Sequence, residues 1–133
     1  MPFVLDASVA ATWALSDESS PVAELADSRL DSDTALVPRI WWYEIRNLLV
    51  INERRLRITA ADSDNFLQNL CGFPIEIDQG QDERTLFRLA RQHRLSFYDA
   101  AYLELAHRHR IPIATLDRAL QLAAVSAGIS LLV

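Results

Sequence analysis

The chain has 133 residues and a formal net charge of −5, enough for one domain with its own core but the wrong sign for a protein that coats nucleic acid non-specifically. All 13 basic residues are arginine, and the missing lysine excludes a phosphate-binding P-loop, a Schiff base and a Ser–Lys nucleophile. The single cysteine, Cys71, excludes an intrachain disulfide and points to a reducing, cytoplasmic home.

No basic residue precedes Arg29 and Asp6 breaks the first apolar run, so the N-terminus does not read as a signal peptide. The weakly polar run from Leu122 to Val133 is shorter than the ~20 residues a membrane span needs. Short β-like runs alternate with helical patterns along the whole length, without repeat or linker. One α/β domain over residues 1–133 is therefore expected, a central parallel sheet with helices on both faces in three layers.

Phe3-Val4-Leu5 reads as a first strand ending at Asp6, followed by a helix from Ala7 to Leu15 and another opened by Ser20 and Pro21. Ala35 to Val37 is the second strand, stopped by Pro38, and a long helix runs from Ile40 to Arg54. Thr59 and Asp62 form a capping box for a helix reaching Cys71-Gly72. Phe73 to Ile77 is the third strand, a charged helix follows to His93, and Ser96 with Asp99 opens a helix ending near His109. Ile111 to Thr115 is the fourth strand, Arg118 to Ala127 a helix, and Ile129 to Leu132 a final strand.

Four acids stand out by their surroundings. Asp6 and Asp117 end apolar strands, and open α/β sheets bind ligands beyond the carboxyl ends of their strands. Glu44 shares a helix face with Ile40, Asn47, Leu48 and Ile51, and Asp99 with Tyr102, Leu103 and Ala106. Carboxylates in apolar company are costly, and four together repel one another. A divalent cation resolves both problems, and Mg²⁺ takes oxygen ligands with several retained waters. Singly, Asp6 and Asp117 could each be no more than an N-cap and Asp99 half of a capping box; Glu44 caps nothing. Ser8, two residues after Asp6, suits a supporting hydrogen bond better than a nucleophile, because no histidine has a base position beside it. His93, His107 and His109 are too scattered for zinc, Arg84, Arg88 and Arg91 share a face that is either solvated or tracks phosphates, and Arg54, Arg55 and Arg57 suit a helix C-terminus.

The blocks Val4-Leu5-Asp6-Ala7-Ser8, Glu44-Ile45-Arg46-Asn47-Leu48-Leu49, Ser96-Phe97-Tyr98-Asp99-Ala100-Ala101-Tyr102-Leu103 and Ala114-Thr115-Leu116-Asp117-Arg118-Ala119-Leu120 resemble, in order and spacing, those of PIN-domain ribonucleases. The short chain with its close run of four motifs is similar to VapC-type toxins of toxin–antitoxin pairs. The resemblance implies a Mg²⁺ or Mn²⁺ site made by Asp6, Glu44, Asp99 and Asp117, with Ser8, Asn47 and Thr115 in support. It also implies hydrolysis of structured RNA to a 5′-phosphate and a 3′-hydroxyl, a homodimer, and a small antitoxin that blocks the site. The pattern departs at Ala119, where many relatives carry an acid or Asn, and leaves the number of metal ions open. Receiver domains and haloacid-dehalogenase-like phosphatases also place acids at sheet ends, but both rely on a lysine. A PIN module that binds without cutting is the remaining alternative. The long helix is apolar nearly all round, so its Trp42–Leu49 side is expected either to meet a partner or to be buried beneath the helix from Thr59 to Cys71.

Overall fold

The computed structural model describes residues 1–133. In chain order it comprises β1 (Phe3–Leu5), α1 (Ala7–Thr12), α2 (Pro21–Arg29), β2 (Ala35–Val37), α3 (Ile40–Arg54), α4 (Ala60–Leu70), β3 (Ile75–Ile77), α5 (Glu83–His93), α6 (Phe97–His109), β4 (Ile113–Ala114) and α7 (Arg118–Ser126). The four strands form one parallel sheet in the order β3-β2-β1-β4. The chain thus winds outward from β1 through β2 to β3, then returns over α5 and α6 to lay β4 on the other side of β1. That reversal opens a crevice between β1 and β4 at their carboxyl ends, where doubly wound sheets bind ligands.

Register puts the two strand ends side by side. Val4 pairs with Ile113 and Leu5 with Ala114, and the Asp6 N–H donates to the Ala114 carbonyl at 3.0 Å. Phe3, Val4 and Leu5 are wholly buried, as expected of a central parallel strand covered on both faces. The core extends from them to Ile45 and Trp41 of α3, Leu103 and Leu105 of α6, and Leu120 of α7. A strand held in this way leaves its last residue little freedom, so the direction of Asp6 is set by the sheet.

Local chemistry accounts for most boundaries. The Ser20 hydroxyl caps α2, and Thr59 with Asp62 completes both bonds of its capping box. Two expected boundaries move. The first helix stops at Thr12 rather than Leu15, where the Thr12 hydroxyl bonds the Val9 carbonyl and the Trp13 indole donates to the Ala23 carbonyl. The expected last strand contracts to one bridge between Ile113 and Leu131, because β4 itself is only two residues long. No helix is long and apolar enough to cross a membrane.

The long helix is less ambiguous than its sequence. Trp41, Ile45, Leu49 and Asn52 form its buried stripe, so Leu49, at 5 % exposure, belongs to the core and not to an outer surface with Trp42. Trp42 is 43 % exposed and carries the Arg46 guanidinium 3.7 Å above its ring.

An ion cluster fastens the segment after β3 to α6. The buried Glu104 accepts from Arg108 Nε at 2.7 Å and from the Asp82 N–H at 3.2 Å, while Arg108 and His109 also reach Asp78. The Arg108 guanidinium holds the Asp78 carboxyl well below its ordinary value of 3.8. That contribution is full above the ordinary value and is lost as pH falls through the lower folded one. Arg108→Ala would strand the Glu104 charge. We expect a loss of roughly 2–3 kcal/mol in urea unfolding at neutral pH, below the full cost for a wholly buried pair because Arg108 is 28 % exposed.

Candidate active site

Four segments deliver the four acids to the β1–β4 crevice. Asp6 follows β1, Asp117 follows β4 and caps α7, Glu44 lies in the second turn of α3, and Asp99 in the first turn of α6. The Thr115 hydroxyl donates to Asp6 and accepts the Asp117 N–H, and Tyr102, three residues after Asp99, bonds Glu44. The charge of Asp117 acts on Asp6, those of Asp6 and Asp99 act on Glu44, and those of Asp117 and Asp6 act on Asp99.

Asp6 and Asp117 stand in similar sequence contexts but differ in use. Asp6 occupies the N-cap position of α1, yet its side chain bonds no backbone N–H there. Its Oδ2 instead accepts from the Ser8 hydroxyl at 2.8 Å and the Thr115 hydroxyl at 2.6 Å, leaving Oδ1 without a partner in the chain. Both hydroxyls are themselves fixed, Ser8 by the Leu116 N–H and Thr115 by the Asp117 N–H. Asp117 is a true cap, its Oδ1 accepting from the Ala119 and Leu120 N–H groups, with Oδ2 left free.

Asp99 forms only half of the expected capping box. Its N–H donates to the Ser96 hydroxyl at 3.1 Å, but its carboxylate makes no return bond to the Ser96 N–H. The Ser96 hydroxyl still favours the charged form of the carboxylate. Glu44 Oε1 accepts from the Tyr102 hydroxyl at 2.5 Å. Asn47 lies one turn beyond Glu44, is exposed, and bonds none of the acids; the structure leaves it outside the hydrogen-bonded cluster. Tyr102 joins the cluster though the sequence marks it only as a face neighbour of Asp99.

Burial raises the carboxyl groups of Asp6, Glu44 and Asp99 above their ordinary values, and their acidic neighbours push the same way. The hydroxyl bonds to Asp6 and Glu44 oppose this by favouring the charged form. No basic side chain forms an ion pair with any of the four; the salt bridges lie elsewhere, at Arg29, Arg57 and Arg108.

An all-oxygen donor set with unspent oxygens on Asp6, Glu44 and Asp117 suits a hard divalent cation. No three of the acids are gathered tightly enough to grip an ion as they stand. Mg²⁺ needs no such cage, since it keeps several waters and takes one or two carboxylates directly. The residues fit the ion. The arrangement sets no serine or cysteine beside a histidine, and Ser8 bonds the Asp6 carboxylate.

A cavity of about 290 Å³ lies between the starts of α3 and α6 and the Asp78–Glu104–Arg108 cluster, lined among others by Arg39, Tyr43, Phe97 and Tyr98; none of the four acids lines it.

In the metal-free protein the raised acids have a defined signature. Their folded forms hold protons more tightly than the unfolded chain, so stability is highest below the ordinary carboxylate values and falls as pH rises through the raised ones. We expect calorimetry in EDTA to show the melting temperature declining from about pH 4 upward. Asp99→Asn should flatten that decline and leave the neutral-pH melting temperature unchanged or higher.

The PIN domain family model matches residues 3–126. The chain is 32 % identical over 123 residues to Ribonuclease VapC3 of Pyrobaculum aerophilum, covering 90 % of this chain and 92 % of that relative. Among solved structures, PAE2754 from Pyrobaculum aerophilum superposes with a TM-score of 0.73 at 21 % identity, covering 92 % of this chain and 84 % of that one. VapC20 of Mycobacterium tuberculosis, a sarcin–ricin loop cleaving toxin, superposes with a TM-score of 0.61 at 12 % identity, over 91 % of this chain and 94 % of that one. These two share the fold.

Proposed function

Because the chain belongs to the PIN-domain family, we propose that it is a divalent-metal-dependent endoribonuclease, the toxin of a toxin–antitoxin pair, with Asp6, Glu44, Asp99 and Asp117 as its active site. The observation that carries this is the unneutralised cluster: four carboxylates at the β1–β4 crevice with no basic partner, of which Asp6, Glu44 and Asp99 are raised by burial and by their acidic neighbours. Of the four only Asp117 caps a helix through its side chain, and none is ion-paired as Asp78 is. The kinship with Ribonuclease VapC3 supports RNA as the substrate and a cognate antitoxin as the partner, both met in the cytoplasm.

Asp6, Glu44 and Asp99 would hold Mg²⁺ or Mn²⁺ jointly, with Asp117 beside them. When bound, the ion lowers the pKa of its water and offsets charge on the scissile phosphate. Neutral donors already hold two of these side chains. Ser8 and Thr115 lock one oxygen of Asp6 and so present the other, and Tyr102 does the same for Glu44. The N-termini of α6 and α7 adjoin Asp99 and Asp117, where the helix dipoles favour negative charge on the acids and on an incoming phosphate.

Purified protein should cleave total cellular RNA with Mg²⁺ or Mn²⁺, lose that activity in EDTA, and regain it on metal addition. Asp6→Asn and Asp99→Asn should each lower the rate by at least about a hundredfold with unchanged circular dichroism. Cleavage by chelated protein that metal leaves unaltered would refute metal dependence.

Exposed Trp42, Tyr43 and Tyr98 supply the large aromatics typical of interface cores, and we assign self-association or antitoxin binding to this side of α3. Trp42→Ala combined with Tyr43→Ala should remain folded and lose either dimer mass in light scattering or capture of the adjacent-gene partner. Leu49→Ala, by contrast, should cost about 2–5 kcal/mol of stability.

A further inference from the structure

Granting that the four acids hold a divalent cation, as proposed above, one residue outside them carries a role of its own. Tyr102 is completely buried in α6, three residues after Asp99. Its phenol oxygen makes two bonds to different segments: it donates to Glu44 Oε1 of α3 at 2.5 Å, and it accepts the Ala7 N–H at 3.4 Å, the peptide that follows Asp6. A single oxygen therefore links the segments that bear Asp6, Glu44 and Asp99.

Packing alone does not call for that oxygen. A phenylalanine would fill the same ring volume, and a buried hydroxyl costs free energy unless it finds partners. Glu44, for its part, is partly exposed on a helix and has no other partner in the chain. A glutamate free to sample its rotamers loses up to about 2 kcal/mol of entropy when a ligand fixes it. An arginine could fix it instead, but would cancel the charge a cation needs. A phenol positions the carboxylate and leaves it anionic.

We propose that Tyr102 is a positioning residue of the metal site, its hydroxyl holding Glu44 Oε1 so that Oε2 stays free for the cation. Ser8 and Thr115 act on Asp6 in the same manner. In each case the fixed oxygen is secured by a neutral donor before any ion arrives.

The test is Mn²⁺ binding to metal-stripped protein, followed by titration calorimetry and by the electron paramagnetic resonance of free Mn²⁺. Tyr102→Phe should bind Mn²⁺ roughly tenfold more weakly than wild type while keeping its circular dichroism. In RNA cleavage the Mn²⁺ concentration for half-maximal rate should rise by a similar factor, with kcat recovering at saturating Mn²⁺. Glu44→Gln should weaken binding by at least as much, and the double variant should be no weaker than Glu44→Gln alone, since the hydroxyl acts through that carboxylate. A folded Tyr102→Phe with wild-type Mn²⁺ affinity, or losses that add in the double variant, would overturn the role of Tyr102 alone. Wild-type protein that binds no Mn²⁺ would overturn the metal site itself and this role with it. If Tyr102→Phe fails to fold, Glu44→Asp replaces it: the carboxylate, shortened by one methylene, should lose the phenol and bind Mn²⁺ weakly, and wild-type affinity there would refute the proposal.

Discussion

Four carboxylates share one crevice without a single basic side chain to neutralise them, and the architecture around the crevice follows from keeping them there. Burial and acidic neighbours raise Asp6, Glu44 and Asp99 above ordinary values, which is a standing cost to the folded chain. Arginine is plentiful, but its ion pairs lie elsewhere: Arg29 with Asp33, Arg57 with Asp17 and Glu18, Arg108 with Glu104 and Asp78. Charge is balanced at the periphery and left unbalanced at the strand ends. What stabilises the acids instead is a set of neutral donors, hydroxyl and backbone N–H groups, which favour the anionic form without competing for its charge.

That arrangement demands a rigid frame, since neutral bonds are individually modest. The frame is the β1–β4 pair. With Phe3, Val4 and Leu5 wholly buried and the Asp6 N–H tied to the Ala114 carbonyl, Asp6 and Thr115 are brought within bonding distance by sheet register. Thr115 lies 109 positions from Asp6 along the chain, so their bond exists only because the winding order returns β4 to the side of β1. The ligand crevice and the Asp6–Thr115 bond are two consequences of one topological reversal.

Much of this was legible in the sequence, and the gaps have physical causes. Apolar runs and cap residues placed every helix and the four strands of the sheet, because these signals are local. The proposed site rests on the same four acids that stand out in the sequence by charge in apolar company. Their division of labour was not legible there. Asp6 and Asp117 each follow an apolar run and precede a helix, yet only Asp117 caps; the difference lies in hydroxyls that reach Asp6 across the fold. Asp99 looks like the partner of Ser96 in a capping box, and only its missing return bond separates it from Asp62. Trp42 and Leu49 sit seven positions apart on one helix, but the buried stripe runs through Trp41, Ile45 and Leu49, a choice made by neighbouring elements. The Glu104–Arg108–Asp78 cluster went unmarked, although an acid four residues before an arginine inside an apolar helix was a visible signal.

Tyr102 shows the same limit from the other side. In Ala100-Ala101-Tyr102-Leu103 a tyrosine reads as one more core residue, and its ring is indeed fully buried. Only the partners of its oxygen distinguish it, and those come from α1 and α3. A buried aromatic with a polar tip is thus ambiguous between packing and function until tertiary contacts are known. Here the tip meets a carboxylate that lacks a basic partner, within a cluster that repels itself. On the proposed reading, a cation would release the free energy of that repulsion, so the term that weakens the metal-free fold would also strengthen cation binding. Neutral anchors at Asp6 and Glu44 preserve that coupling, whereas an arginine at either position would discharge it in advance.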